Sequence, residues 1–340
     1  MDKRSGILAA GNWIIDHVKV IDRWPEQDGI ACIIEQSEGN GGFPYNILKD
    51  LAKLEPALPL AAAGLLGDDA NGRHIIRDCQ KDGIDTSRFQ FSVDTPTSYT
   101  DVMTVRESGR RTFFHQRGSN ALLSSEHIDL ETSSAKIFAM GYFGLLDSLD
   151  ALDENGKNGH VAIFEQASNL GMITCADLTS VHCDFPPIVN PSLPHIDILM
   201  LNEWEATQLT GMESGSNDLI SISHIELQAR EILTRGVRRA VAIHFSTGVV
   251  VVSASGKCHL QGALNVPSDC IRGAAGAGDA FCAGFLYGIH EDWSLPECSR
   301  LGVCTAGASL GAATCSDTVR PWDACLELGE RWGYKVVCEE

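Results

Sequence analysis

The sequence predicts an α/β protein built on a mostly parallel sheet, and three observations predict it. Short, continuously apolar runs recur along the chain, as in SGILAAGN, ALPLAAAG, AKIFAMG, GMITCAD, HIDILML and RRAVAIHF. Amphipathic segments such as PYNILKDLAKL and NGRHIIRDCQKD stand between them. Strands that are apolar throughout need cover on both faces, which a parallel sheet flanked by helices supplies. The third observation is that no repeat, low-complexity tract or Pro/Ser linker divides the 340 residues into halves. The expectation is one α/β domain over residues 1–340.

In chain order, the apolar run from Ile7 to Ala10 is the first strand; it ends at Gly11 and is too short for a secretory core. WIIDHVKVIDRW with IACIIEQS, and later SYTDVMTV with RTFFHQR about the turn ESGR, break the alternation and read as antiparallel strands. They predict a small β-sheet lid inserted at about 12–37 and 97–118. GLLGDDANG, Gly64 to Gly72, reads as a structural strand-turn-helix, and the apolar segment from Ala280 and SLPECSRLGVCTAGASL read as helices.

Hydrophobic residues make up 44% and charged residues 21%, ordinary for a globular chain. A formal charge of -19 argues against a nucleic-acid partner, which needs a basic face. No membrane-spanning run is present. The twelve cysteines are scattered without CxxC pairs and read as reduced, mostly buried thiols of a cytoplasmic protein. The expected ligand is small.

Three stretches carry candidate chemistry. In GAAGAGDAFCAGFLYG the small residues Gly276, Ala277 and Gly278 let backbone N–H groups approach a ligand at a helix N-terminus, and Asp279 follows. An ionised acid beside such an anion hole suits phosphoryl transfer to an alcohol; a capped helix after a glycine-rich turn is the plainer reading. In GNGGFPYN, Gly41 and Gly42 allow close passage to a polyol and Asn46 offers donors and an acceptor, with Asn12 and Asp16 upstream as partners; a plain loop-to-helix turn is the alternative. In LNEWEATQLTG, Asn202 and Glu205 could support Mg²⁺ at Glu205, directly or through water, or simply cap a helix.

Together these pieces resemble the ribokinase or phosphofructokinase-B (PfkB) carbohydrate kinases: Gly11 and Asp16, Gly41, Gly42 and Asn46, GLLGDDANG, RGSN at Arg117 to Asn120, NEWE at Asn202 to Glu205, and GAGD at Gly276 to Asp279. The resemblance implies a ribokinase-like three-layer α/β/α core of Rossmann type with a β-sheet lid. It also implies an ATP- and Mg²⁺-dependent kinase acting on a hydroxymethyl group of a sugar or sugar derivative. It casts Asp279 as catalytic base and Gly276, Ala277 and Gly278 as anion hole. Asn12, Asp16, Gly41, Gly42 and Asn46 fall to the substrate, and Asn202, Glu205, His244, Ser246 and Gly248 to the nucleotide. A homodimer through the lid is a further implication.

The chain departs from the family pattern in three places. Gly273, Ala274 and Ala275 stand where DTT is usual, which argues against a monovalent cation site. IHFSTG, Ile243 to Gly248, brings His244 and Phe245 into the nucleotide loop. Phe43 follows the glycine pair, where an aromatic substrate group could gain a partner. Two alternatives therefore stand: a nucleoside kinase, and a non-catalytic sugar- or nucleotide-binding regulator. The basic cluster Arg106, Arg110, Arg111, His115 and Arg117 is either a solvated hairpin face or a clamp for an anionic substrate.

Overall fold

The computed structural model describes residues 4–213, 215–216, 219–312 and 314–337. Strand β1 (Ile7–Gly11) is buried at every position. Its period of two sends Ile7 and Ala9 into one apolar cluster and Leu8 and Ala10 into another on the opposite face. The chain then makes the excursion β2 (Ile14–Ile21) and β3 (Ile33–Gly41), and returns through α1 (Phe43–Leu54), β4 (Leu60–Gly67), α2 (Ala70–Lys81) and β5 (Asp85–Ser92). A second excursion, β6 (Tyr99–Val105) and β7 (Arg111–Gln116), precedes β8 (Ile137–Gly141), α3 (Asp147–Asp150), α4 (Gly159–Asn169), β9 (Ile173–Asp177), α5 (Phe185–Val189), β10 (Ile198–Asn202) and α6 (Glu203–Thr210). After the short pair β11 (Gly215–Ser216) and β12 (Leu219–Ile220) come α7 (Ile222–Thr234), β13 (Ala240–Phe245), β14 (Gly248–Ser253), β15 (Cys258–Gly262), α8 (Ala277–His290), α9 (Leu295–Ser309) and α10 (Trp322–Trp332).

The main sheet runs β15-β14-β13-β10-β9-β8-β1-β4-β5. From β5 to β13 every pair is parallel; the β13–β14 and β14–β15 pairs are antiparallel. One face is covered by α1, α2, α8, α9 and α10, through Leu51, Ile75, Phe285, Leu301 and Leu328 among others. The other is covered by α4, α6 and α7, through Phe164, Leu209 and Ile225. Three layers follow, as the apolar runs require.

From β1 the chain proceeds to β4 and β5 on one side, and from β8 to β9 and β10 on the other. The neighbours β1 and β8 therefore feed crossovers in opposite directions, and in such sheets the crevice above their carboxyl ends receives ligands. The two excursions form a separate four-stranded sheet of order β3-β2-β6-β7. Each excursion is an antiparallel hairpin, as its sequence suggests, but the two meet through a parallel β2–β6 pair. Hydrogen bonding within a hairpin is set locally; pairing between strands whose partners lie 84 residues apart is set by where the main sheet launches them. No helix among the described residues is long and apolar enough to cross a membrane.

Candidate active site

The crevice is built from the ends of β1 and β8. Gly11 takes φ of 126°, and a Cβ there would lie 1.8 Å from the Gly141 carbonyl oxygen. Asn12 is fully buried, accepts from the Tyr142 N–H at Oδ1 and donates from Nδ2 to the Leu145 carbonyl at 3.3 Å. It ties the two strand ends together and is not among the residues that line the cavity beside them. Asn120 of RGSN extends this frame, donating to the Trp13 carbonyl at 3.2 Å and accepting from the Trp13 N–H at 3.3 Å.

Asp16 lies on β2 against β3. Its register partner is Gly39, and its carboxyl reaches Gly41 two residues on, where a Cβ would come within 2.4 Å of Asp16 Oδ1. Gly42 (φ 83°) leads into α1 with its Cα packed on the Asn12 carbonyl, where a Cβ would collide at 2.0 Å. Burial and the charge of Asp279 push the Asp16 carboxyl up to about 7, while the Thr100 hydroxyl pulls it back. Asp16, Asn40, Arg111 and Arg272 share a cavity of about 330 Å³ beneath the four-stranded sheet.

Helix α8 starts at Ala277, three residues before the start read from the sequence, because Gly276 adopts the left-handed conformation (φ 70°) and serves as its N-cap. A Cβ on Gly276 would meet Cys315 Cβ at 2.6 Å. The first ladder bond runs from the Ala280 N–H to the Gly276 carbonyl, so the Gly278 and Asp279 amides precede the ladder and form a positive pole. Asp279 is buried in this first turn. Asn46 donates to its Oδ2 at 2.7 Å, and the Tyr142 hydroxyl donates to both oxygens at 2.9 Å. Burial raises the carboxyl to about 6 and these two donors lower it, leaving a group that changes protonation near neutrality. Its surroundings and the charges of Asp279 and Asp177 push the Tyr142 phenol well above its usual range, which keeps it a donor. Asn46 in turn accepts from Asn40 Nδ2 at 2.7 Å, so in this state it faces the acid and not an open cavity.

On the other side of the Gly273–Gly278 loop lies a second cavity, of about 370 Å³, lined by His244, Phe245, Ser246, Leu264 and Gly307 among others. Gly248 belongs to its wall as well. His244 stands beside Asn202 in the β10–β13 register and against Phe281, ring centroids 5.7 Å apart. Burial pushes its imidazole down to about 4, so it is neutral. Lys335 donates to the Ser246 carbonyl at 3.0 Å and closes one end.

Asn202 and Glu205 form the reciprocal N-cap of α6: the Glu205 N–H donates to Asn202 Oδ1 at 2.8 Å, and the Asn202 N–H to Glu205 Oε2 at 2.9 Å. Ser180 donates to Oε1 at 3.2 Å. Burial pushes the Glu205 carboxyl up to about 7, with Asp279 adding to it, and burial with Glu205 and Asp279 does the same to Asp177. Two buried acids whose carboxyls are raised by a third, Asp279, would welcome a cation. No group of three His, Cys, Asp or Glu side chains among the described residues is close enough to coordinate one alone. The arrangement therefore fits a Mg²⁺ that takes most of its oxygens from water and a nucleotide.

Two sequence expectations change. Phe43 is fully buried in the core and packs on Tyr142, centroids 5.9 Å apart, so it offers nothing to a substrate. The basic cluster divides: Arg117 pairs with Asp147 at 2.7 Å, His115 bonds Thr100 at 3.0 Å, Arg106 pairs with Glu35 at 3.1 Å, and Arg111 faces the first cavity. Tyr142, Asn40 and Arg272 were not singled out by sequence; the one local signal was that Tyr142 directly follows an apolar strand.

The model of the pfkB family carbohydrate kinases matches residues 8–322. The chain is 23% identical over 291 residues to a 5-dehydro-2-deoxygluconokinase of Geobacillus kaustophilus, covering 82% of this chain and 81% of that one. It is 25% identical over 313 residues to an ATP-dependent ribose-1-phosphate kinase of Halopiger xanaduensis, covering 88% and 92%. Among solved structures it is similar to Arabidopsis thaliana ribokinase complexed with ribose and ATP, with a TM-score of 0.78 at 20% identity over 96% of this chain and 98% of that one. With the fold, the switch-point crevice and this match over nearly its whole length, the chain belongs to the pfkB family of carbohydrate kinases.

Proposed function

We propose that this kinase transfers the γ-phosphoryl group of ATP to a hydroxymethyl group of a sugar or sugar derivative, with Asp279 as general base. The observation that carries the reading is the place of Asp279: buried in the first turn of α8, above the switch point, where one loop separates two cavities. Acceptor occupies the cavity containing Asp16, and nucleotide the one containing His244 and Phe245. A base titrating near 6 is suited to accept a hydroxyl proton at neutral pH.

Asp279 takes the proton as the hydroxyl oxygen bonds to the γ-phosphorus in line, and the bond from that phosphorus to the bridging oxygen breaks, its electrons leaving with ADP. The amides at the start of α8 donate to the oxygens where charge gathers. Mg²⁺, when bound, would neutralise phosphate charge, and Glu205 and Asp177 are the residues that would hold it, through water. The absence of DTT before GAGD supports no monovalent cation requirement. The four-stranded sheet acts as a lid over the acceptor, keeping out water that would compete for the phosphoryl group. The cysteines, scattered without CxxC pairs, support a cytoplasmic setting.

The test is phosphoryl transfer from ATP with Mg²⁺, with Asp279→Asn in parallel. Loss of roughly 10² to 10⁴ in kcat is expected; a folded variant with unchanged turnover would remove Asp279 from the mechanism. Burial of Phe43 takes away the feature that favoured a nucleoside acceptor, and the completed first turn of α8 disfavours a non-catalytic regulator.

A further inference from the structure

The acceptor cavity carries more positive charge than a neutral sugar needs. Arg106 and Arg111 reach its wall from the two sides of the β6–β7 turn, and Arg272 reaches it from the loop before α8. The acids facing the same space are Asp16 from β2 and Glu35 from β3, and Cys315 lines it as well. Glu35 is committed to Arg106 at 3.1 Å. Arg111 and Arg272 enter no ion pair or side-chain hydrogen bond among the described residues; the Arg272 backbone N–H alone is tied, to the Leu310 carbonyl at 2.8 Å. Two guanidinium groups without an ion pair therefore face Asp16, whose carboxyl is held by the Thr100 hydroxyl and not by a cation.

In a chain of charge -19 this concentration opposes the overall field, which repels anions. A guanidinium on a concave wall loses water when a ligand enters, and that loss is offset only by an opposite charge. Asn40, on the same cavity wall, donates to Asn46, which donates to Asp279, so two hydrogen bonds link the cavity lined by Arg111 and Arg272 to the proposed base. The cavity's volume, about 330 Å³, lies at the small end for ligand sites.

Resting on the kinase reading above, we infer that the acceptor is an anionic sugar, a sugar acid or a sugar monophosphate, whose charged end lies between Arg111 and Arg272 while its hydroxyl end passes Asp16 to Asp279. The guanidinium fork pairs two oxygens of a carboxylate or phosphate at once, which fixes the molecule's direction as well as its affinity. Arg106, already paired, closes the rim.

The intact protein is titrated calorimetrically, without nucleotide, with sugar acids, sugar monophosphates, the neutral sugars of the same carbon number and nucleosides; phosphoryl transfer from ATP is then measured on the same set. One anionic class should bind, its neutral counterpart far more weakly, and which class binds separates carboxylate from phosphate. Arg111→Met and Arg272→Met should each weaken anion binding by roughly 10- to 150-fold, and Arg111→Lys should recover part of it, with KM for ATP nearly unchanged. Both side chains are unpaired, so the variants should fold, which circular dichroism checks. Tighter binding of a neutral sugar or nucleoside, binding of no anion, or an Arg272→Met effect on KM for ATP alone would overturn the inference. An anion bound through both arginines but never phosphorylated would instead sink the kinase reading, whereas turnover of a neutral sugar indifferent to both variants leaves that reading standing and removes the clamp.

Discussion

Asp279 shows how one residue's surroundings set both chemistry and stability. Its folded-state value, about 6, lies above the usual 3.8. The folded chain thus holds more protons than the unfolded one between about pH 4 and 6, so stability falls as pH rises through that window and the cost is complete above it. Replacing the acid by Asn removes the cost: Asp279→Asn should be more stable than the parent at pH 8 by about 1–3 kcal/mol and nearly equal to it at pH 4, read from urea unfolding. Tyr142 works in the other direction, since its hydroxyl lowers the same carboxyl. Tyr142→Phe should shift the acid limb of the kcat/KM profile to higher pH while leaving the high-pH plateau within a few-fold. A uniform loss at all pH values would mean that Tyr142 does more than position the base.

At the scale of an element, the start of α8 depends on a residue without a side chain. Gly276 combines a left-handed backbone with contact on Cys315. Gly276→Ala should cost about 1–3 kcal/mol of stability and lower kcat by on the order of 10² by turning the first amides off their target, with acceptor affinity little changed. Gly83 offers a control: it has φ of 75° but nothing within 4 Å of a Cβ, so Gly83→Ala should show backbone strain alone and normal turnover. The cap of α6 was legible in LNEWE because a capping box is a local device. The burial of Phe43 was not, because the residues that cover it, Tyr142 among them, come from distant parts of the chain.

For the molecule as a whole, the outer part of the four-stranded sheet is the unfinished surface. Ile30 is 80% exposed, Ile33 52% and Phe114 51%, with Trp24 stacked on Phe114 at 6.2 Å between centroids. An apolar sheet of this kind calls for cover, and pairing of two lids would supply it. A homodimer is expected in sedimentation at micromolar concentration, and Ile33→Lys should shift it toward monomer. A parent that sediments as monomer would leave the lid to act alone.

The alternation of apolar runs and amphipathic segments determined the three layers, since a strand apolar on both faces can be satisfied in few ways. Glycine runs and capping patterns likewise marked α8, α6 and the turn into α1, because each is a matter of a few neighbouring residues. Only the tertiary structure decided which groups meet: Tyr142 and Asn46 on Asp279, Arg272 beside Arg111, and the parallel seam joining two hairpins. Those contacts join residues far apart in the chain, and their geometry comes from the order of strands in the sheet, which no local pattern encodes.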